Sequence, residues 1–123
     1  MAAQLSATVL DTPHPRGLAA FYGELLGWRA VEDSLEWVVL RPPGGGVGLS
    51  FQLESHHVRP TWPAEEGGQR MQLHLDIEVD DLETEVARAV GLGASVAEVQ
   101  PQPHVRVLLD PAGHPFCLFV DES

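Results

Sequence analysis

The sequence predicts an α+β fold in which two tandem βαβββ modules form a curved mixed sheet with a concave cleft. The first observation is a repeat: the order strand, helix, strand, strand, strand is indicated in each half of the 123-residue chain. The second is a segment without hydrophobic periodicity, about residues 55–68, between the two copies. One module covers one face of its sheet with a helix and leaves the other bare. Two modules side by side can curl their bare faces into one cleft, so we treat residues 1–123 as a single domain.

The first module is predicted over about residues 4–54. A strand at residues 5–11 ends in a Thr-Pro-His-Pro turn, after which Pro15 suits the first turn of a helix and Gly27 its C-terminal stop. Between them, apolar side chains recur at the i, i+3, i+4, i+7, i+8 spacing of an amphipathic helix. They are Leu18, Phe21, Tyr22, Leu25 and Leu26. Short β-prone segments follow at residues 28–31, 35–40 and 47–54.

The second module is predicted over about residues 69–121. Residues 71–79 alternate between apolar and polar side chains, as a half-buried strand does. Asp80 and Glu83 resemble a capping box at the start of the second helix, and Gly91 and Gly93 end it. Three strands follow at residues 95–99, 105–110 and 116–120, with an Asp-Pro-Ala-Gly turn between the last two.

The charge of the chain excludes one large class of partner. Eighteen acidic residues against seven arginines and no lysine give a formal net charge of −11. A protein that docks on nucleic acid or on an anionic membrane surface needs a cationic face, which these scattered arginines do not form. The absence of lysine also excludes Schiff-base chemistry and a P-loop lysine. A cationic or neutral small molecule is the partner that this composition favours.

Cysteine usage and the amino terminus predict a cytoplasmic protein. Cys117 is the single cysteine, so the chain forms no internal disulfide, as expected in a reducing compartment. The residues after Met1 lack the basic and apolar regions of a signal peptide, and no apolar run reaches the ~18 residues of a membrane span. Lysine and asparagine are missing while alanine, arginine, glycine and proline are abundant, which indicates a GC-rich bacterial coding bias.

Five short motifs occur in order along these elements. They are Phe21-Tyr22, Leu25-Leu26-Gly27-Trp28, residues 74–81 (HLDIEVDD), Leu92-Gly93-Ala94 and residues 110–116 (DPAGHPF). Together with the repeated βαβββ order, they make the chain similar to the vicinal oxygen chelate superfamily, and most similar to its small bacterial glyoxalase-like domains. That superfamily contains glyoxalases, ring-cleaving dioxygenases, fosfomycin-modifying enzymes and bleomycin-binding resistance proteins. The resemblance covers roughly residues 5–120 and implies the glyoxalase-like fold.

The resemblance also implies where a metal would be held. Metal-dependent members place a ligand on the first strand of each half and an acid or an equivalent donor on the last strand of each half. Carried over to this chain, those positions fall on Ala7, Gln52, His74 and Cys117. Ala7 has no donor atom, and an incomplete ligand shell binds hard cations poorly. We therefore predict no metal and no other cofactor; the alternative is a divalent ion held by His74 and Gln52.

Six residues are the candidate ligand-binding set. The resemblance implies that Gln52 and His74 face the cleft, and Asp76 shares the strand face of His74. Aromatic rings at a cleft mouth can stack on planar or cationic ligands. The set is Gln52, His74, Cys117, Trp37, Trp62 and Asp76.

Each of these residues also has a structural interpretation. His74 is either a metal ligand or general base, or a hydrogen-bonding group of the cleft, and Asp76 either pairs with it or is a solvated strand residue. Cys117 is either a nucleophile, if an adjacent cation lowers its pKa, or a packed and inert cysteine, which is favoured because burial in an apolar strand raises a thiol pKa. Trp37 also fits the core, and Trp62 also fits a loop anchor or a dimer contact.

The favoured function is the binding of a small molecule, cationic or aromatic, in the cleft without a catalytic metal, as a resistance or sequestration protein of the bleomycin type. The alternative is a metal-dependent lyase, isomerase or dioxygenase that uses His74 and Gln52. A third hypothesis is an accessory domain whose main contact is its own dimer partner. Many relatives pair two chains, so we expect a homodimer. The residues identify neither the ligand nor a catalytic group, and they leave open whether the protein is an enzyme.

Overall fold

The computed structural model describes residues 3–121 and confirms the predicted α+β class. The chain divides into two compact units, Met1–His57 and Val58–Ser123. Each unit has one helix and one four-stranded mixed sheet, with the strand, helix, strand, strand, strand order of a βαβββ module. The repeat that the sequence predicts is therefore present in the structure.

The first unit contains five elements. They are β1 (Ala7–Thr12), α1 (Pro15–Leu26), β2 (Arg29–Asp33), β3 (Trp37–Arg41) and β4 (Gly48–Leu53). The strands lie in the order β1-β4-β3-β2, in which β1 and β4 are parallel and the other pairs are antiparallel. The last strand of the module is thus paired with the first, which places polar side chains of β1 and β4 next to each other.

The helix α1 forms where the apolar spacing predicts it. Pro15 opens it, and Gly27 ends it in the left-handed conformation with φ 72°, where its N–H donates to the carbonyl of Gly23. The buried side of α1 packs on the sheet through Tyr22, whose ring stacks on Phe51 of β4 with centroids 5.9 Å apart. This aromatic contact anchors the core of the first unit.

The second unit contains the corresponding five elements. They are β5 (Leu75–Glu78), α2 (Leu82–Leu92), β6 (Ser95–Val96), β7 (Val105–Leu109) and β8 (Pro115–Phe119). The strands lie in the order β5-β8-β7-β6, with β5 and β8 parallel and the other pairs antiparallel. The sheet therefore repeats the topology of the first.

The strand predicted over residues 71–79 is shorter than expected, because regular pairing begins only at Leu75. In the parallel ladder Leu75 pairs with Phe116, so a longer β5 would have to pair with Pro115, which has no N–H to donate. The chain before Pro115 turns away at residues 110–113. His74 thus lies just ahead of the strand.

The strand predicted over residues 95–99 is also shorter, with only Ser95 and Val96 in the ladder. The Gln100 side chain takes the place of a further strand residue by pairing with the backbone of Val107. Its Nε2 donates to the Val107 carbonyl at 2.9 Å, and its Oε1 accepts from the Val107 N–H at 2.8 Å. A side-chain amide that mimics the backbone is not visible in a hydrophobic pattern.

The residues that cap α2 differ in part from those predicted. Asp81, and not Asp80, is the N-cap, because Asp81 is extended and its carboxylate accepts from the N–H of Thr84 at 3.2 Å. Gly91 lies inside the helix, and Gly93, with φ 124°, ends it. Within residues 3–121, neither α1 nor α2 has the length and apolar character needed to cross a membrane.

Candidate functional site

One face of the second sheet carries polar side chains. Along β8, Phe116 and Leu118 are fully buried, and their face packs against α2. Cys117 and Phe119 alternate with them and are half-buried on the opposite side. In the register of the ladder, Asp76 pairs with Cys117 and Glu78 with Phe119. We call the side that bears these four residues the open face.

His74, Asp76 and Cys117 come together on the open face as one cluster. The Nε2 atom of His74 lies 3.1 Å from a carboxylate oxygen of Asp76. The ligand atoms of all three side chains lie within 4.8 Å of one another. The His74 and Asp76 side chains are 38% and 63% exposed, so solvent or a ligand can reach them. The cluster combines a nitrogen, an oxygen and a sulfur donor.

A buried turn sets the start of β8 and hence the position of Cys117. The Asp110 side chain is 1% exposed, and one of its oxygens accepts from the N–H groups of Ala112 and His114 at 2.9 and 3.0 Å. Gly113 has φ 86°, and an added Cβ would lie 2.8 Å from Nε of Arg59. The predicted Asp-Pro-Ala-Gly turn is thus held by its own aspartate and by a glycine whose positive φ and close contact with Arg59 disfavour a side chain.

The thiol of Cys117 is protonated at neutral pH. Burial, then the charge of Asp76 and a hydrogen bond to that carboxylate, together raise the pKa of the thiol from 9.0 to about 11. Asp76 thereby accepts from the thiol while it also contacts His74. A thiol in this state is a poor nucleophile, because the thiolate is the reactive form.

We expect Cys117 to be alkylated by iodoacetamide at pH 8 roughly 100-fold more slowly than a free cysteine, since each pKa unit is a factor of ten in thiolate. Asp76→Asn removes the negative charge and should raise the rate. The raised pKa also makes the free energy of unfolding depend on pH, because the folded state favours the neutral thiol. The stabilisation is complete below pH 9.0 and is lost as the pH rises through about 11. Unfolded protein serves as the control; equal rates in folded and unfolded protein would contradict the assignment.

The first sheet carries a second polar row. Gln52 on β4 pairs in register with Asp11 on β1 and with Trp37 on β3. The Gln52 amide donates to the Asp11 carboxylate at 3.2 Å. Sequence reasoning missed Asp11, although it shares the strand parity of Ala7, the position where the resemblance implies a ligand. The Gln52 side chain is therefore engaged within its own unit.

Trp62 lies in the segment without regular secondary structure between β4 and β5. Its ring is half-buried, and its Nε1 atom is shielded from solvent with no hydrogen-bond acceptor in the described part of the chain. It makes no hydrogen bond to the cluster of His74, Asp76 and Cys117. The Trp62 ring is therefore only partly accessible to a ligand.

Two surface pockets lie elsewhere in the units. One, of about 320 Å³, lies between α1 and β2 and is bordered by the Arg16–Asp33 ion pair at 2.7 Å. The other, of about 480 Å³, is formed by residues 102–105 and 119–121 at the ends of β7 and β8. None of the six candidate residues lines either pocket.

Comparison with known proteins identifies a family that matches this chain and solved structures that share its fold. A family model described as a glyoxalase-like domain matches residues 7–119. A search of curated protein sequences finds no significant match.

Solved structures share the fold at low sequence identity. A glyoxalase/bleomycin resistance protein/dioxygenase family enzyme from Burkholderia phytofirmans PsJN is 20% identical, with a TM-score of 0.70 over 96% of this chain and 98% of that one. TnmS3, an antibiotic binding protein from Streptomyces sp. CB03234, is 18% identical, with a TM-score of 0.64 over 99% of each chain. The oxidase ChaP-H2 is 19% identical, with a TM-score of 0.65 over 98% of this chain and 95% of that one. One fold thus carries several functions.

Proposed function

The chain belongs to the glyoxalase-like domain family, and on that premise we propose that it binds a small organic molecule on the open face of the second unit without a catalytic metal. Binding withholds the molecule from its other targets, so the protein acts by sequestration. The observation that carries the proposal is the state of the His74, Asp76 and Cys117 cluster. Asp76 contacts both of the other side chains, and the thiol keeps its proton. Such a cluster offers hydrogen bonds and a negative charge to a ligand.

The relatives support binding as an activity of this fold. TnmS3 is described as an antibiotic binding protein, and other structures of the same fold are named for resistance to bleomycin. Asp76 and Glu78 are exposed acidic side chains on the open face, which favours a ligand that carries positive charge.

The experiment is a thermal-shift screen of cationic and aromatic compounds against the wild-type protein and His74→Ala and Asp76→Asn variants. A ligand present at 100 times its dissociation constant adds about 2.7 kcal/mol to the free energy of unfolding. We expect such a shift in the wild-type protein and a reduced one in both variants. Glu83→Gln, the same charge change on α2, is the matched control and should keep the shift. A hit that shifts all four proteins equally would contradict binding at the cluster.

A metal-dependent activity is the second candidate, and one observation favours it. The donors His74, Asp76 and Cys117 lie close enough to hold one divalent ion, and this set of nitrogen, oxygen and sulfur atoms suits zinc or a similar transition metal. Such an ion would act as a Lewis acid on a substrate oxygen. This cluster stands beside the pair of His74 and Gln52 as a candidate ligand set, since the Gln52 amide N–H donates to Asp11 and leaves its Oε1 as the atom that would bind a metal.

Metal analysis separates the two candidates. Cys117 has to lose its proton to become a ligand, and its raised pKa opposes that step unless the ion itself compensates. We expect well below one equivalent of zinc, iron, nickel or manganese in protein purified without chelator. A stoichiometric metal that is lost from the His74→Ala variant would establish the second candidate in place of the first.

A further inference from the structure

The open face extends beyond the cluster toward a pocket. Phe119 follows Cys117 by two residues on β8, so its side chain lies on the same face about 7 Å further along the strand. Phe119 pairs with Glu78 on one side and with Val105 on the other. The pocket of about 480 Å³ is lined by Phe119 and Val105, and its volume is in the range of small-molecule sites.

The walls of this pocket are apolar on the sheet side. Phe119, Val105, Val120 and Pro103 contribute hydrocarbon surface, and His104 stands exposed at the rim. Phe119 and Val105 are only half-buried, although both are apolar strand residues. Uncovered hydrocarbon at the floor of a concave site favours an apolar group of a ligand.

The charge beside the pocket is negative. The carboxylate of Glu78 is exposed and makes no side-chain hydrogen bond or ion pair among residues 3–121. Arg106, the cation next to Val105, pairs in register with Leu118, so its side chain leaves the strand on the face opposite Phe119, and its Nη1 donates to the carbonyls of Pro103 and Val105, each at 3.0 Å. The unit Val58–Ser123 has twelve acidic residues against four arginines, a net charge of −8. A positive group on a ligand is therefore attracted to this end of the open face.

We propose that the pocket at the ends of β7 and β8 takes the apolar body of an organic cation, whose charged group pairs with Glu78 and Asp76. The inference rests on the proposed function and names the class of ligand: a hydrophobic amine or quaternary ammonium compound. The apolar part of the ligand packs on Phe119 and Val105, and its cationic group lies over the carboxylates of Asp76 and Glu78 on β5. Neutral analogues of the same shape bind more weakly.

The test uses 1-naphthylmethylammonium as the probe, with 1-naphthylmethanol as its uncharged analogue, in calorimetric titrations of the whole chain at pH 7. Phe119→Ala should weaken binding of both compounds about tenfold, because it removes the aromatic floor. Glu78→Gln should weaken only the cation, by about threefold, the size expected for an exposed charge pair. Glu83→Gln on α2 is the charge-matched control and should change neither affinity.

A second variant tests the pocket even if Phe119→Ala fails to fold. His104→Trp adds a ring at the exposed rim without removing a core residue, and it should also exclude both compounds. Binding that Asp76→Asn weakens while Phe119→Ala and His104→Trp leave it unchanged would overturn the pocket and retain the proposed function. Binding that depends on the pocket residues but is equal for the two compounds would overturn the cationic class of ligand. Absence of probe binding, while the thermal-shift screen yields a cluster-dependent ligand, would also overturn this inference.

Discussion

Asp110→Ala should lower the free energy of unfolding by about 3 kcal/mol, which changes the folding equilibrium roughly 100-fold. The Asp110 side chain is 1% exposed and accepts from the N–H groups of Ala112 and His114 at 2.9 and 3.0 Å. Without the carboxylate, these two donors lose their acceptor in a place that is closed to water. Urea unfolding followed by circular dichroism measures the change.

Two variants separate this effect from a general loss of charge. Asp110→Asn keeps one side-chain oxygen as an acceptor and should cost much less than the alanine variant. Asp80→Ala removes an exposed carboxylate ahead of α2 and should stay within about 0.5 kcal/mol of the wild-type protein. If Asp110→Ala and Asp80→Ala unfold at the same urea concentration, the turn does not hold β7 and β8 as described.

Gly48→Ala should destabilise the first unit by about 2 to 3 kcal/mol. A Cβ at Gly48 would lie 2.5 Å from the backbone carbonyl oxygen of Leu40 and 3.2 Å from Cδ of Arg41. Arg41 donates to the carbonyl and hydroxyl of Ser6, and the Gly48 N–H donates to the same carbonyl. The methyl group therefore forces β3 and β4 apart and displaces the contacts of the Arg41 guanidinium.

Gly91→Ala is the matched control, because the same substitution should have the opposite sign there. Gly91 is exposed within α2, and an added Cβ meets nothing within 4 Å. Alanine in a helix interior is favoured over glycine by about 0.5–1 kcal/mol, so this variant should unfold at a higher urea concentration. A Gly48→Ala variant that is as stable as the wild-type protein would contradict the close approach of β3 and β4.

The fold could be predicted from local patterns because each element carries its own signal. The apolar spacing from Leu18 to Leu26 and the left-handed Gly27 fix α1, and the Asp-Pro-Ala-Gly sequence fixes the turn before β8. The repeat predicts one helix and four strands in each half, whereas the strand order and the parallel pairs come from the structure. The ends of β5 and β6 were predicted wrongly, because each depends on a contact outside the strand. Pro115 limits β5, and the Gln100 side chain shortens β6.

The candidate site could be predicted only in part. Strand parity selects Asp76 for the open face, but the convergence of His74 and Cys117 on it depends on the parallel register of β5 and β8. The bond between Gln52 and Asp11 likewise follows from the pairing of β1 with β4, which are far apart in the sequence. Phe119 was not predicted as a ligand-binding residue, because an aromatic residue in an apolar strand normally lies in the core.

On the proposed function, a ligand binds at the His74, Asp76 and Cys117 cluster without a metal. Calorimetric titration of the strongest compound from the thermal-shift screen, with and without a chelator in the buffer, tests it most directly. We predict the same dissociation constant in both buffers and clear weakening in the Asp76→Asn variant. Binding that disappears with the chelator and returns when zinc or another divalent ion is added would contradict the claim.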